Sequence, residues 1–326
     1  MIIVDNLTKK YGTHTAVSHL SFTVPDGQVT GFLGPNGSGK STTMRCILGL
    51  DKPTAGAATF HGAYYDGPFA ELERKPKVAG AIIDTSWFHP ARSGRNHLKV
   101  IARGAGISDN RVEECLAIVG MTDAGDKKLG GYSLGMKQRI GVAAALLGNP
   151  QHLILDEPIN GLDPAGVNWM RTTIRRFAEE GRAVLVSSHL LAEMEQTADR
   201  IVVIGKGHMV GEYSMSEFLS GGTTVHVESP QAEQLAAALT TANLAPVSGS
   251  LPNTIIVPLN PKVTEAQLRH QIAQIACDSG CLVTRLQPVH DNLEQRYLAA
   301  TAQWQEFRAG SSAANQQKST REGGLA

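Results

Sequence analysis

One stretch constrains this chain more than any other. Gly34-Pro35-Asn36-Gly37-Ser38-Gly39-Lys40-Ser41-Thr42 fits the pattern G-x-x-x-x-G-K-[ST] of a phosphate-binding loop. Before it, the apolar run Val29 to Leu33 predicts a short buried strand. After it, Met44, Ile47 and Leu48 fall at helical spacing. A strand, a glycine-rich turn and a helix N-terminus bring backbone N–H groups onto one anion, and the helix dipole adds positive potential. Glycine is required because side chains would hold the backbone away from the phosphates. Lys40 is then placed to reach the β- and γ-phosphates of a nucleotide, and Ser41 to ligate Mg²⁺. A glycine-rich turn that binds nothing is the plain alternative, and the residues further along the chain argue against it.

The 326 residues suffice for one large domain and a small one. Lys+Arg and Asp+Glu are both 30, so the balanced charge lacks the basic surplus of a nucleic-acid binder. Cys46, Cys115, Cys277 and Cys281 form neither a disulfide framework nor a paired C-x-x-C zinc pattern. Cys277 and Cys281, near a helix–strand junction, are expected to be packing residues. The start Met1-Ile2-Ile3-Val4-Asp5 reads as a strand and not as a signal peptide. No apolar run approaches the ~18 residues of a membrane span, so a membrane role requires a partner chain.

In chain order, Ile2 to Val4 and Ala16 to Phe22 are strand candidates, with turns at Tyr11-Gly12 and Pro25-Asp26-Gly27. Tyr11 could stack on an adenine base or simply pack. Residues 51 to 83 read as turn-rich, closing on an apolar strand from Val78 to Ile83 that delivers Asp84. Trp87 and Phe88 follow in a loop, either as core plugs or as a partner-contact surface. Asn96 to Ala102 and Asp109 to Val119 read as helices. Behind Tyr132-Ser133-Leu134-Gly135-Met136, the residues Met136, Ile140, Ala144 and Leu147 make a helical stripe. Ser133 and Gly135 thus sit at a helix N-terminus, suited to a phosphate or to a plain serine cap.

Leu153-Ile154-Leu155 predicts a buried strand ending in Asp156-Glu157. Two carboxylates at a strand's C-terminal end form the Walker B arrangement. Asp156 is expected to hold the metal through water and Glu157 to polarise the attacking water. Ala183 to Val186 is another strand, ending in Ser187-Ser188-His189. Sites of doubly wound sheets lie beyond the strand C-termini, so His189 reads as functional.

After about Ser214 the composition shifts, and Gly221-Gly222 marks a linker. Strands are expected at Thr223 to Glu228, Asn253 to Val257 and Leu282 to Leu286, and helices at Gln231 to Thr241 and Glu265 to Ala276. That order suggests a small α+β ferredoxin-like module over 222–300. Asp291 to Phe307 reads as a final helix, and 310–326 as a disordered tail.

The P-loop, the Ser133–Gly135 segment, Asp156-Glu157 and His189, in this order and spacing, resemble the nucleotide-binding subunits of ABC transporters over residues 1–215. The resemblance implies an α/β P-loop fold with a RecA-like core, an antiparallel β subdomain and a helical subdomain. It further implies ATP and Mg²⁺ as ligands and makes Tyr11 the adenine-stacking aromatic. Tyr132 to Met136 matches the signature motif, Asp163 the D-loop and His189 the switch histidine. Asp84 stands where the family has glutamine, and a metal contact is one role open to it. The signature reads Tyr-Ser-Leu-Gly-Met instead of Leu-Ser-Gly-Gly-Gln, and Ile159 replaces the usual threonine. These departures, with the C-terminal extension, are similar to the antibiotic-export and self-immunity branch of bacitracin and daunorubicin exporters.

The resemblance implies ATP hydrolysis at a dimer interface formed with a second copy or a paralogue, driving a polytopic membrane permease. The chain would then lie peripherally on the cytoplasmic face of the cell membrane, with no nucleic-acid partner. A soluble ABC-type ATPase acting on ribosomes or DNA is the alternative. It is disfavoured by the single P-loop and by the absence of sustained heptads in the roughly 90 residues between Lys40 and Ser133. A non-hydrolysing regulator is disfavoured because each catalytic position carries a competent residue.

Overall fold

The structure is a computed structural model that describes residues 1–83, 88–189, 191–220, 223–249, 251–260, 263–290 and Tyr297. Asp84, Trp87 and most of the expected final helix and tail lie outside the described residues.

The chain begins with strands β1 (Ile2–Tyr11) and β2 (His14–Val24), then β3 (Val29–Leu33) and helix α1 (Lys40–Ile47). A hairpin of β4 (Ala55–Gly62) and β5 (Tyr65–Pro68) follows, then α2 (Lys75–Val78) and β6 (Ala79–Ile82). Three helices come next: α3 (Gly94–Gly104), α4 (Asp109–Ile118) and α5 (Leu134–Leu146). Then β7 (His152–Leu155), α6 (Pro164–Glu179), β8 (Ala183–Ser188), α7 (Leu191–Thr197), β9 (Arg200–Gly205) and β10 (His208–Ser214) alternate.

Six strands form the central sheet in the order β10-β9-β3-β8-β7-β6, parallel throughout except for antiparallel β10. Both of its faces are covered, so β3, β7 and β8 are buried along their whole length and read as unbroken apolar runs. One face meets α1 and the antiparallel sheet β2-β1-β4-β5, with Phe22 stacked on Phe32 at 5.2 Å between ring centroids. The other face meets a layer that includes Leu98 of α3, Leu116 of α4, Ile140 of α5 and Ile174 of α6. Ser93, Ser133 and Asp163 start α3, α5 and α6, each accepting a hydrogen bond from the backbone N–H three residues on.

After α8 (Met215–Ser220) come β11 (Thr223–Glu228), α9 (Ala232–Thr241), β12 (Val247–Ser248), β13 (Thr254–Pro258), α10 (Glu265–Asp278) and β14 (Arg285–His290). The sheet order is β12-β13-β11-β14, all antiparallel. Val225, Val227, Leu235, Leu239, Leu268 and Ile272 form a core of their own there. Thr264 and Gln267 close a reciprocal capping box at the start of α10.

Several expectations from the sequence are corrected. The stretch 51–83 carries β4 and β5; in the Ala- and Gly-rich β4 only Ala58 and Phe60 are buried, and the strand forms because it pairs with β1, Ile2 opposite Phe60. The last described strand is Arg285–His290 instead of Leu282 to Leu286, because its register on β11 sets Arg285 opposite Glu228 and His290 opposite Thr223. Cys281 is buried but Cys277 is exposed. Leu268, Ile272 and Ala276 mark the buried stripe of α10, and Cys277 falls one residue off it. Phe88 is half-buried against the helical-layer core and meets His97 edge-on at 5.3 Å, the core-plug alternative of the two left open.

Candidate functional site

The P-loop leaves β3 between β8 and β9, and the chain then turns into α1. Two of its glycines have no substitute. A Cβ on Gly34 would stand 2.3 Å from Ser38 Oγ and 2.7 Å from the Ile204 carbonyl oxygen. Gly39, at φ +101°, would set a Cβ 2.6 Å from the Ala16 carbonyl oxygen. The loop is braced from outside by Gly207, whose N–H donates to the Ser38 carbonyl at 3.0 Å, and from within by Ser38 N–H, which donates to the Pro35 carbonyl at 3.1 Å. Pro35, Asn36, Gly37 and Ser38 share a groove of about 220 Å³ with His14 and Lys206.

Lys40 is buried, and its ammonium donates to the carbonyls of Gly34 at 2.6 Å and Pro35 at 3.3 Å. Burial lowers its pKa, and the nearby charges of Glu157 and Asp156 act against that shift. The amine is thus held over its own loop and close to both Walker B carboxylates. Ser41 is exposed on the first turn of α1, and Thr42 is half-buried beside it.

The carboxylates arrive from β7, one strand beyond β8. Asp156 N–H donates to the Ile82 carbonyl at 2.7 Å, and Ser187 donates its hydroxyl to Asp156 Oδ1. The same Ser187 Oγ accepts from Glu157 N–H at 2.9 Å. Glu157 has φ +49°, a left-handed backbone uncommon for a non-glycine residue, and its side chain is turned to the end of β8. There His189 Nδ1 meets Glu157 Oε2 at 2.7 Å. An ionised carboxylate only accepts, so Nδ1 carries the proton of that bond. Three neighbouring strands therefore deliver an anion-binding loop, a carboxylate pair and a histidine to one end of the sheet, the position where doubly wound sheets bind ligands.

The remaining expected residues lie apart. Tyr11 ends β1, opposite His14; the residue is 47% exposed, its hydroxyl donates to Asp51 Oδ2 at 2.9 Å, and Lys9 Nζ sits 4.7 Å from the ring centroid. Ser133, exposed at the start of α5, accepts from Met136 N–H at 3.3 Å, and Gly135 is half-buried. Asp163 is exposed and caps α6 at 2.9 Å from Gly166 N. None of these four residues lines the P-loop groove.

Ser187, which joins both carboxylate positions, is not among the residues expected from the sequence. Its signal was a hydroxyl at the end of an apolar strand, overshadowed by the histidine two residues on. Lys206 and His14, which share the P-loop groove, are marked by no local pattern either. Tyr132, read only as part of the signature segment, is buried and donates its hydroxyl to the Ala124 carbonyl at 2.6 Å.

Residues 17–160 match the ABC transporter family. The chain is similar to the bacitracin transport ATP-binding protein BcrA of Enterococcus faecalis, with 34% identity over 299 residues, covering 91% of this chain and 95% of that protein. It is also similar to the lantibiotic transport ATP-binding protein SrtF of Streptococcus pyogenes, with 37% identity over 221 residues, 67% of this chain and 94% of that protein. Among solved structures, the ATP-binding subunit of an ABC transporter superposes with a TM-score of 0.60 at 26% identity, covering 67% of this chain and 91% of its own.

Proposed function

This chain belongs to the ATP-binding subunits of ABC transporters, and we propose that it powers export through a separate membrane permease. It is an ATP-hydrolysing subunit. The single observation that carries the catalytic reading is the convergence of the Lys40 loop, Asp156, Glu157 and His189 at one end of the sheet. Glu157 orients and polarises the attacking water, and His189 holds the Glu157 carboxylate in place from β8.

Ser41 and Asp156 would hold Mg²⁺, which neutralises charge developing on the phosphates. Among the described residues no cluster of three or more His, Cys, Asp or Glu forms a metal cage, and this suits an ion held chiefly by phosphate oxygens and water. Asp84 is a further contact in this reading.

Ser133 and Gly135 at the N-terminus of α5 and Asp163 at that of α6 are open to a second copy or a paralogue, which in this reading presents its signature helix to this nucleotide across a dimer interface. Tyr11, half-exposed at the β1–β2 turn, is then the base-stacking ring.

An apolar groove of about 590 Å³ runs between the ends of α1 and β6 and the flanks of α3 and α5. Leu48, Leu50, Ile83, Ile101, Ile107 and Ala144 line it, and Leu50 is 58% exposed. Such a groove fits a short amphipathic helix of a permease loop. Among the described residues no helix is long and apolar enough to cross a membrane, so attachment through this groove would hold the subunit at the cytoplasmic face.

The outward direction is supported by the bacitracin-transport relative, whose match extends across the C-terminal module. We read residues 1–215 as the cassette and 222–300 as a ferredoxin-like module, on its β-α-β-β-α-β order. The test is Leu50→Glu with Ile101→Glu: permease co-purification is expected to be lost while ATP binding persists. Retained permease at wild-type yield counts against the groove.

A further inference from the structure

Gln138 lies on α5, one turn beyond Ser133 and Gly135, and is only 3% exposed. Its Oε1 is buried with no hydrogen-bond partner among the described residues. The side chain borders a cleft of about 330 Å³ with Asp156, Glu157, Asn160, Gly161 and Leu134. A buried amide oxygen without a partner is costly, so a fold that keeps one at a carboxylate pair has a use for it. An apolar side chain of the same length would fill that space without the cost.

The placement indicates the use. The Glu157 turn is anchored from the β8 side, where Ser187 takes its N–H and His189 its carboxylate. Among the described residues the α5 side offers packing: a Cβ on Gly161 would stand 2.7 Å from Leu134 Cδ2, so helix and turn are in contact. Gln138 is the uncharged polar side chain that α5 presents to this cleft. It carries both a donor and an acceptor, so it can bond to a turn carbonyl, a turn N–H or a water between carboxylates.

We propose that Gln138 is a positioning residue for ATP hydrolysis: its carboxamide binds the Asp156–Gly161 turn from the α5 side and sets Glu157 for attack when the signature helix is engaged. The inference rests on the hydrolytic reading of Glu157 given above. It makes α5 a mechanical link, with Ser133 and Gly135 at one end and the catalytic turn against its second turn.

The test is Gln138→Met in the full chain, which keeps length and burial and removes the amide. ATP turnover, KM for ATP and thermal unfolding are measured beside wild type and Glu157→Gln. A fall in kcat of about tenfold or more is expected, with KM within about twofold and Tm unchanged or raised. A structural role would instead lower Tm together with activity. Unchanged kcat, a raised KM, or activity lost in step with Tm overturns the assignment. Should the Met variant not be recovered folded, Gln138→Leu is used, and failure of both to fold likewise overturns it. A wild type without ATP turnover overturns the hydrolytic reading and the inference together, whereas an active wild type with an equally active Gln138→Met overturns the inference alone.

Discussion

His189 Nδ1 stands 2.7 Å from Glu157 Oε2, although the two residues are 32 positions apart and leave different strands. The contact turns the Glu157 carboxylate along the C-terminal edge of the sheet toward the side where the P-loop emerges from β3. It works together with Ser187, which holds the Glu157 N–H from the same strand as His189. A left-handed non-glycine backbone costs of order 1–3 kcal/mol, and these bonds offset it. Strain of this kind at a catalytic turn is kept where orientation matters.

Glu157→Gln removes the charge that, in the proposed mechanism, polarises water, and keeps the size of the side chain. ATP binding is expected to persist, turnover to fall by ~10²-fold or more, and an ATP-bound dimer to accumulate in size-exclusion chromatography. Turnover at the wild-type level would take Glu157 out of its catalytic role.

Ser187→Ala leaves the Glu157 N–H and Asp156 Oδ1 each short of a partner. A loss of about 1–2 kcal/mol in stability is expected by urea unfolding, with kcat lowered more than KM is raised. A variant with wild-type stability and kcat would show that the bridge is incidental.

Lys40→Ala deletes the ammonium that Gly34 and Pro35 hold at the loop. Nucleotide affinity itself is expected to weaken by at least ~10-fold, in contrast to Glu157→Gln, as read by fluorescent-nucleotide titration. Equal affinity for wild type and variant would contradict the placement of the triphosphate on this loop.

His97 supplies a pH dependence. Burial, with Arg92 nearby as a lesser cause, lowers its pKa from an ordinary value of 6.5 to about 4. Between these values the unfolded chain takes up a proton that the folded chain refuses. Stability is therefore full above pH 6.5, falls as pH drops through the window, and loses nothing more from this residue below about 4. The depth is on the order of 3 kcal/mol. His97→Leu is expected to flatten urea-unfolding stability between pH 7 and pH 4.5 relative to wild type, and parallel curves for the two proteins would contradict it.

Much of the site was legible because its chemistry sits at strand ends in short patterns. The P-loop spacing, the carboxylates after Leu155 and the histidine after β8 each carry their own signal, and the parallel sheet brings them together. Elements defined by their partners were harder to read. The small residues of β4 become a strand only against β1, and β14 takes its bounds from β11. Gln138 has an ordinary polar identity on a helix, and only the packing of α5 buries it. The Tyr11 ring was visible as an isolated aromatic, but its anchor on Asp51 comes from 40 residues away.

The proposed role of this ATPase is to drive a membrane partner. The most direct measurement is to tag the Glu157→Gln protein, solubilise native membranes gently, add ATP and identify what co-purifies. A polytopic membrane protein, bound with two ATPase subunits, is the expected result. Recovery of the chain in a soluble complex or on ribosomes, with no membrane protein, would contradict it.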